Sequence, residues 1–120
     1  MIMSLYVAKS NGDRKMLDDV SVDMAREVFA RMDWASELAA VRAAQEAGTG
    51  IFLPEFGIND DTGRSLVISP LDDGNVSFYL QTPDRLVGAQ NFPIGSTAYL
   101  IGMFFDGLDE EIAGLAPKPA

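Results

Sequence analysis

The stretch from Arg64 to Gln81, RSLVISPLDDGNVSFYLQ, constrains the fold more than any other part of the chain. Two partly apolar runs flank Asp73-Gly74, and an Asp-Gly pair between alternating hydrophobics is the strongest short-range signal for a two-residue β-hairpin. With Asp73-Gly74 as the loop, Leu71 faces Val76, Ser69 faces Phe78 and Val67 faces Leu80. That register gathers Val67, Leu71, Val76, Phe78 and Leu80 on one face. Leu66, Ile68, Pro70, Ser77, Tyr79 and Gln81 are left on a second, mixed face. Side chains along a strand alternate with period two, so a slip of a single residue moves a strand's apolar set to the other face.

The rest of the chain builds around this hairpin. Ile2 to Ala8 predicts a first strand, closed by the turn residues Ser10-Asn11-Gly12-Asp13. Ser21 has the chemistry of a helix N-cap, and Asp23 suits the positive end of the helix dipole. Val22, Ala25, Phe29 and Met32 recur at helical spacing, and Trp34, Leu38 and Val41 form a second stripe on nearly the opposite side. One straight helix would need burial on both sides, so the pattern predicts two helices with a break between Asp33 and Ser36. Gly48-Thr49-Gly50 ends the second.

Ile51 to Ile58 reads as a strand that Pro54 pushes to a sheet edge or bulge. Asn59 to Gly63 reads as a turn into the hairpin, giving a meander, and Leu86 to Phe92 as a further strand. Ser96 is placed to cap a closing apolar helix, Thr97 to Phe105, which Asp106-Gly107 ends. Leu108 to Leu115 adds a turn, and residues 116–120 form a frayed tail. The order predicts a single α+β domain over residues 1–115, with an antiparallel meander sheet packed against helices on one face.

Composition narrows the chemistry. The chain of 120 residues contains no cysteine and no histidine. That excludes thiolate nucleophiles, thiolate or imidazole metal sites and histidine acid–base catalysis. Asp, Glu, Lys, Tyr and Ser remain, but no pair of them stands at a recognisable catalytic spacing, so no catalytic residue, metal or cofactor is expected. With 18 acidic and 9 basic residues the formal net charge is −9. Such a charge repels nucleic-acid phosphates and anionic lipid and favours a basic protein partner. The apolar run near the N-terminus is too short to span a membrane and lacks the layout of a signal peptide, so a cytoplasmic protein is expected.

Several short motifs have simple readings. Asp61-Thr62-Gly63 is the tripeptide of retroviral-type aspartic proteases, whose paired loops share one proton between two carboxylates. Here Asn59 and Asp60 precede it in place of that family's apolar strand, and the tripeptide is also ordinary turn chemistry. Asp60-Asp61 and Asp72-Asp73 are rich in oxygen ligands but lack the alternating spacing of a calcium loop, and read as solvated turns. Asp109-Glu110-Glu111 complements a helix N-terminus. Phe29, Met32 and Trp34 read as core.

In size, acidity and α+β layout the chain resembles bacterial toxin-immunity proteins, small cytoplasmic inhibitors that plug the active site of a cognate, often basic, toxin. The resemblance is carried by the −9 charge, the meander ending in NVSFYLQ and the closing STAYLIGMFFDGLDEEI segment with its acidic flank. It implies a binding protein in which Asp60, Asp61, Asp72 and Asp73 steer and pair with the partner's Lys and Arg. Tyr79 is the aromatic anchor of that reading. Two alternatives are a secretion chaperone, which would present an apolar groove and dimerise, and an aspartic protease built on Asp61.

Overall fold

The computed structural model describes residues 2–72 and 74–115; the expected tail and Asp73 lie outside the described residues. In chain order the elements are β1 (Met3–Ala8), β2 (Arg14–Leu17), α1 (Val22–Arg31), α2 (Trp34–Ala47), β3 (Glu55–Asp60), β4 (Ser65–Pro70), β5 (Asn75–Gln81), β6 (Leu86–Pro93), α3 (Thr97–Phe105) and α4 (Asp109–Ala113). The strands form one antiparallel sheet in the order β2-β1-β3-β4-β5-β6. Leu5, Phe56, Ile58, Leu66, Ile68, Val76 and Leu80 project from one face and pack with Ala25, Phe29, Leu100, Ile101, Phe104 and Ile112 of the helices in one core. This is the expected α+β arrangement, with the helices on one side. No helix among the described residues is long and apolar enough to cross a membrane.

The helical punctuation follows the sequence closely. The Ser21 hydroxyl accepts the Met24 amide at 3.2 Å and starts α1. The Asp33 carboxylate accepts the Ser36 amide at 3.1 Å and starts α2, so the break falls where the two apolar stripes diverge. Gly48, at φ 68°, takes the left-handed conformation that ends α2. Trp34 stacks at 5.2 Å on Phe29, which meets Phe56 edge-on at 5.3 Å, so the aromatics are core. Ser96 precedes α3 as expected but makes no side-chain cap. A short 3-10 turn, Ile94–Ser96, leads into the helix instead, and the Thr97 hydroxyl donates to the Ile94 carbonyl at 2.7 Å.

Three features differ from expectation. β2 was not foreseen; it is four residues long, three of them exposed, and so carries almost no burial pattern. The strand expected over Ile51–Ile58 starts at Glu55 instead, because Pro54 has no amide to donate, and it lies inside the sheet between β1 and β4, not at an edge. The central hairpin is shifted by one residue. Pro70 pairs with Val76, Ile68 with Phe78, Val67 with Tyr79 and Leu66 with Leu80.

The reason for the shift lies in the loop and the core together. The amides of Leu71 and Asp72 both donate to the Asn75 carbonyl, at 3.1 and 3.2 Å. The Asp72 carboxylate accepts the Gly74 amide at 3.0 Å and the Asn75 side-chain amide at 2.9 Å. This Asx-type closure makes a wider loop than a two-residue turn. The shifted register also brings Leu66 and Ile68, both 0% exposed, onto the core face with Val76, Phe78 and Leu80. Burying an aliphatic side chain of that size is worth about 1.5–3 kcal/mol, so core burial outweighs the local turn preference.

At the other end of β4, Arg64 fastens the hairpin to the helices. Its guanidinium donates to Asp60 at 2.7 Å, to the Phe104 carbonyl at 3.1 Å and, through two nitrogens, to Asp109, and it lies 4.4 Å from the centre of the Phe104 ring. The Asp60 side chain is fully buried and also accepts the amides of Thr62 and Arg64, at 2.8 and 3.1 Å. Burial alone would raise the Asp60 carboxyl, but the hydrogen bonds from Thr62 and Arg64 outweigh it and hold the carboxyl below the ordinary carboxylate range.

Removing Arg64 would strand that buried carboxylate. Arg64→Ala is expected to lower stability in urea unfolding by about 3 kcal/mol at neutral pH. Because the Asp60 carboxyl is depressed in the fold, the stability it contributes is present above the ordinary carboxylate pKa of about 4 and is lost as pH falls through the folded value. Asp60→Asn should therefore be less stable at pH 7 and show a flatter fall in stability below about pH 4.

Candidate functional site

No element among the described residues covers the face of the sheet turned away from the helices, and one row of paired residues crosses the six strands on it. The pairing runs Met16, Tyr6, Gly57, Val67, Tyr79, Gly88. Two tyrosines and two glycines in one row give the face an uneven relief.

Tyr6 lies down over Gly57. A Cβ at Gly57 would sit 2.1 Å from the Tyr6 ring, so only glycine admits the ring there. The Tyr6 hydroxyl donates to Glu55 at 2.9 Å, and the Arg14 guanidinium sits 4.6 Å from the ring centre. Burial first, and then the Glu55 carboxylate, push the Tyr6 hydroxyl well above its ordinary pKa, so it stays protonated as a hydrogen-bond donor. Val67 is next in the row and is 4% exposed even on this outer face.

Tyr79 behaves differently, with 41% of its surface exposed. It stands at an open depression of about 550 Å³ lined by Val67, Ser69, Ser77, Gly88, Gln90 and Asn91. The register shift between Val76 and Phe78 opens a bulge in β6, and Asn91 takes φ 62° there. A Cβ at Gly88 would press on the Phe78 carbonyl at 3.0 Å, and the missing side chain leaves the flank of Tyr79 clear. Tyr79 is the one ionisable group in this lining, so the depression can supply apolar contact and neutral hydrogen bonds but no acid–base pair.

The acidic residues singled out by sequence are held apart. Asp60 and Asp61 sit at the β3–β4 turn and Asp72 at the β4–β5 loop, at opposite ends of β4. Asp60 is consumed by Arg64 and its own turn. Asp61 is exposed and accepts the Ile2 amide at 3.2 Å. Asp72 closes its loop; the Gly74 amide and then the Asn75 side chain hold its carboxyl below the ordinary range. The Asp61-Thr62-Gly63 tripeptide forms the β3–β4 hairpin loop. Among the described residues no group of three or more acidic side chains converges as a metal site would.

The alternation of β5 sets Tyr79 on one face with Ser77 and Gln81, and the structure shows that this face is the open one and that Leu66 and Ile68, expected beside Tyr79, lie on the other. Tyr6 and the glycine floor were not foreseen, although Gly57 inside an apolar strand is the local sign of a close approach. Compared with models of protein families, with curated proteins and with solved structures, the chain matches none.

The seat of Tyr6 is directly testable. Gly57→Ala should displace the ring and cost about 1–3 kcal/mol in urea unfolding. Adding Tyr6→Ala should recover part of that loss, and strictly additive losses in the double-mutant cycle would contradict the contact.

Proposed function

We propose that this chain is a small acidic protein-binding module of the immunity type, which seats the open face of its sheet on a basic bacterial toxin and silences it by occlusion. The observation that carries this reading is Tyr79, 41% exposed on β5 in a sheet face that no helix among the described residues covers. Exposed tyrosines beside a depression are characteristic anchors of protein interfaces, because they bury much area at low entropic cost. The lining offers no catalytic pair, which favours binding over chemistry. The net charge of −9 supports a basic partner by raising its encounter rate.

Within this reading the residues divide their work. Tyr79 supplies the buried contact, with Ser69, Ser77, Gln90 and Asn91 around it as hydrogen-bonding groups. Asp61 and Asp72 act on encounter as charges at the two ends of β4. Asp60 acts only by shaping the β3–β4 turn.

The test is to capture the partner from the source organism at low salt, elute it with high salt and reconstitute the complex from purified components. Tyr79→Ser should weaken the complex by about 30-fold or more, mainly by faster dissociation. Asp61→Lys should slow association at low salt and lose its effect at high salt. Unchanged affinity in Tyr79→Ser would remove the sheet face from the mechanism.

A further inference from the structure

One groove reverses the charge pattern of the chain. It lies between α1 and the edge of the sheet formed by β1 and β2, on the helix side, and encloses about 500 Å³. Val7, Val28 and Met32 make an apolar floor, and Lys9, Lys15 and Arg31 stand around it. Arg14 is a further lining residue, and Asp13 is the one acid among them. The chain has nine basic residues; without Lys118, eight lie among the described residues, and four of these eight line this groove.

The remaining basic side chains have other engagements. Arg64 and Arg85 are in ion pairs, Arg26 donates to the Ala98 carbonyl at 2.9 Å, and Arg42 lies in the electrostatic reach of Asp72. Arg31 pairs with Glu27 one turn back on α1, and the Arg14 guanidinium turns to the opposite face of the sheet, over the Tyr6 ring. The ammonium groups of Lys9 and Lys15 are exposed and enter no ion pair among the described residues.

The outer backbone of β2 beside the groove is also unpartnered among the described residues. Among them β2 is an edge strand paired with β1 alone, so its outer N–H and C=O groups face no other described strand. Its register sets Lys15 opposite Val7, which puts Lys15 on the helix-side face above the groove, and sets Leu17 opposite Leu5. A lysine on an edge strand can serve merely to discourage pairing. A guard of that kind needs one charge and no receptor. Here several cations converge over an apolar floor.

We propose that this groove docks an acidic, extended segment of a partner protein, which adds to β2 as a seventh strand. Main-chain hydrogen bonds to β2 would supply affinity, as in other cases of strand addition. Alternate side chains of the added strand would fall on the helix side, apolar ones on Val28 and Met32 and carboxylates beside Lys9, Lys15 and Arg31. The partner's charge is opposite to the one that suits the rest of the surface. The site also lies on the other side of the sheet from Tyr79, so the two can be occupied at once.

The probe is a fluorescein-labelled, end-blocked peptide with Glu and Val taking turns at every second position and Thr between them, so that one face of the added strand carries both, and the control has Lys in place of Glu. Anisotropy titration at low salt should show saturable binding of the acidic peptide, and amide resonances of Lys15, Met16 and Val28 should shift. Lys15→Glu combined with Arg31→Gln changes only exposed side chains and should weaken binding at least tenfold, and Lys9→Glu alone should act in the same direction. Tyr79→Ser should leave the peptide affinity unchanged, which separates this site from the open face. Absence of saturable binding, equal affinity in the charge variants, or shifts confined to the Tyr79 face would overturn the proposal. So would capture by phosphatidylglycerol vesicles through Lys9 and Lys15 with no peptide binding, which would assign the groove to an anionic membrane surface.

Discussion

The pairing of Val67 with Tyr79 governs the rest of the molecule. Alternation along a strand is strict, so this one pairing decides which side chains of β4 and β5 see the helices and which see solvent. It sends Leu66, Ile68, Val76, Phe78 and Leu80 into a single core with α1, α3 and α4. The same choice sends Ser69, Ser77 and Tyr79 to the open face, with Val67 as the apolar patch between them. Core and candidate interface are therefore two consequences of one register, and neither could be altered without the other.

Arg64 plays the corresponding part at the end of the sheet. Its guanidinium joins the β3–β4 turn, through Asp60, to the α3–α4 corner, through Phe104 and Asp109. A planar cation with several donors can satisfy two carboxylates and a carbonyl at once, whereas an ammonium would leave part of that set unpaired. In a chain with a twofold excess of acid, this arrangement also removes Asp60 from the surface. The acidic groups that sequence sets side by side are thus not equivalent: one is a structural anion and its neighbour is a solvated one.

The two surface features have different physical characters. The open face offers neutral relief, a half-exposed aromatic ring and glycines that keep its flank clear. The groove beside β2 offers positive charge, an apolar floor and free backbone. Neither contains a pair of groups poised for proton transfer, and both are suited to recognition. An acidic surface that favours basic proteins can still hold a local basic site, because charges at separations beyond about 8–10 Å are largely screened at physiological salt.

What the sequence determined by itself was whatever rests on contacts between near neighbours. The helix start at Ser21, the stop at Gly48, the break between the two stripes and the sharing of one face of β5 by Ser77, Tyr79 and Gln81 all follow from local caps and periodicity. The absence of cysteine and histidine likewise excluded whole classes of chemistry without any structure. Tertiary structure decided what depends on distant partners. Burial of Leu66 and Ile68 overrode the two-residue turn expected at Asp73-Gly74, and β2 exists because β1 offers it a ladder, not because RKML has a strong pattern. Arg64 reaches Asp109 across 45 residues, Tyr6 finds its seat on Gly57 across 51, and Lys9, Lys15 and Arg31 meet only when α1 packs beside the sheet edge. Such meetings are selected by the packing of the whole core, and no window of sequence contains both members.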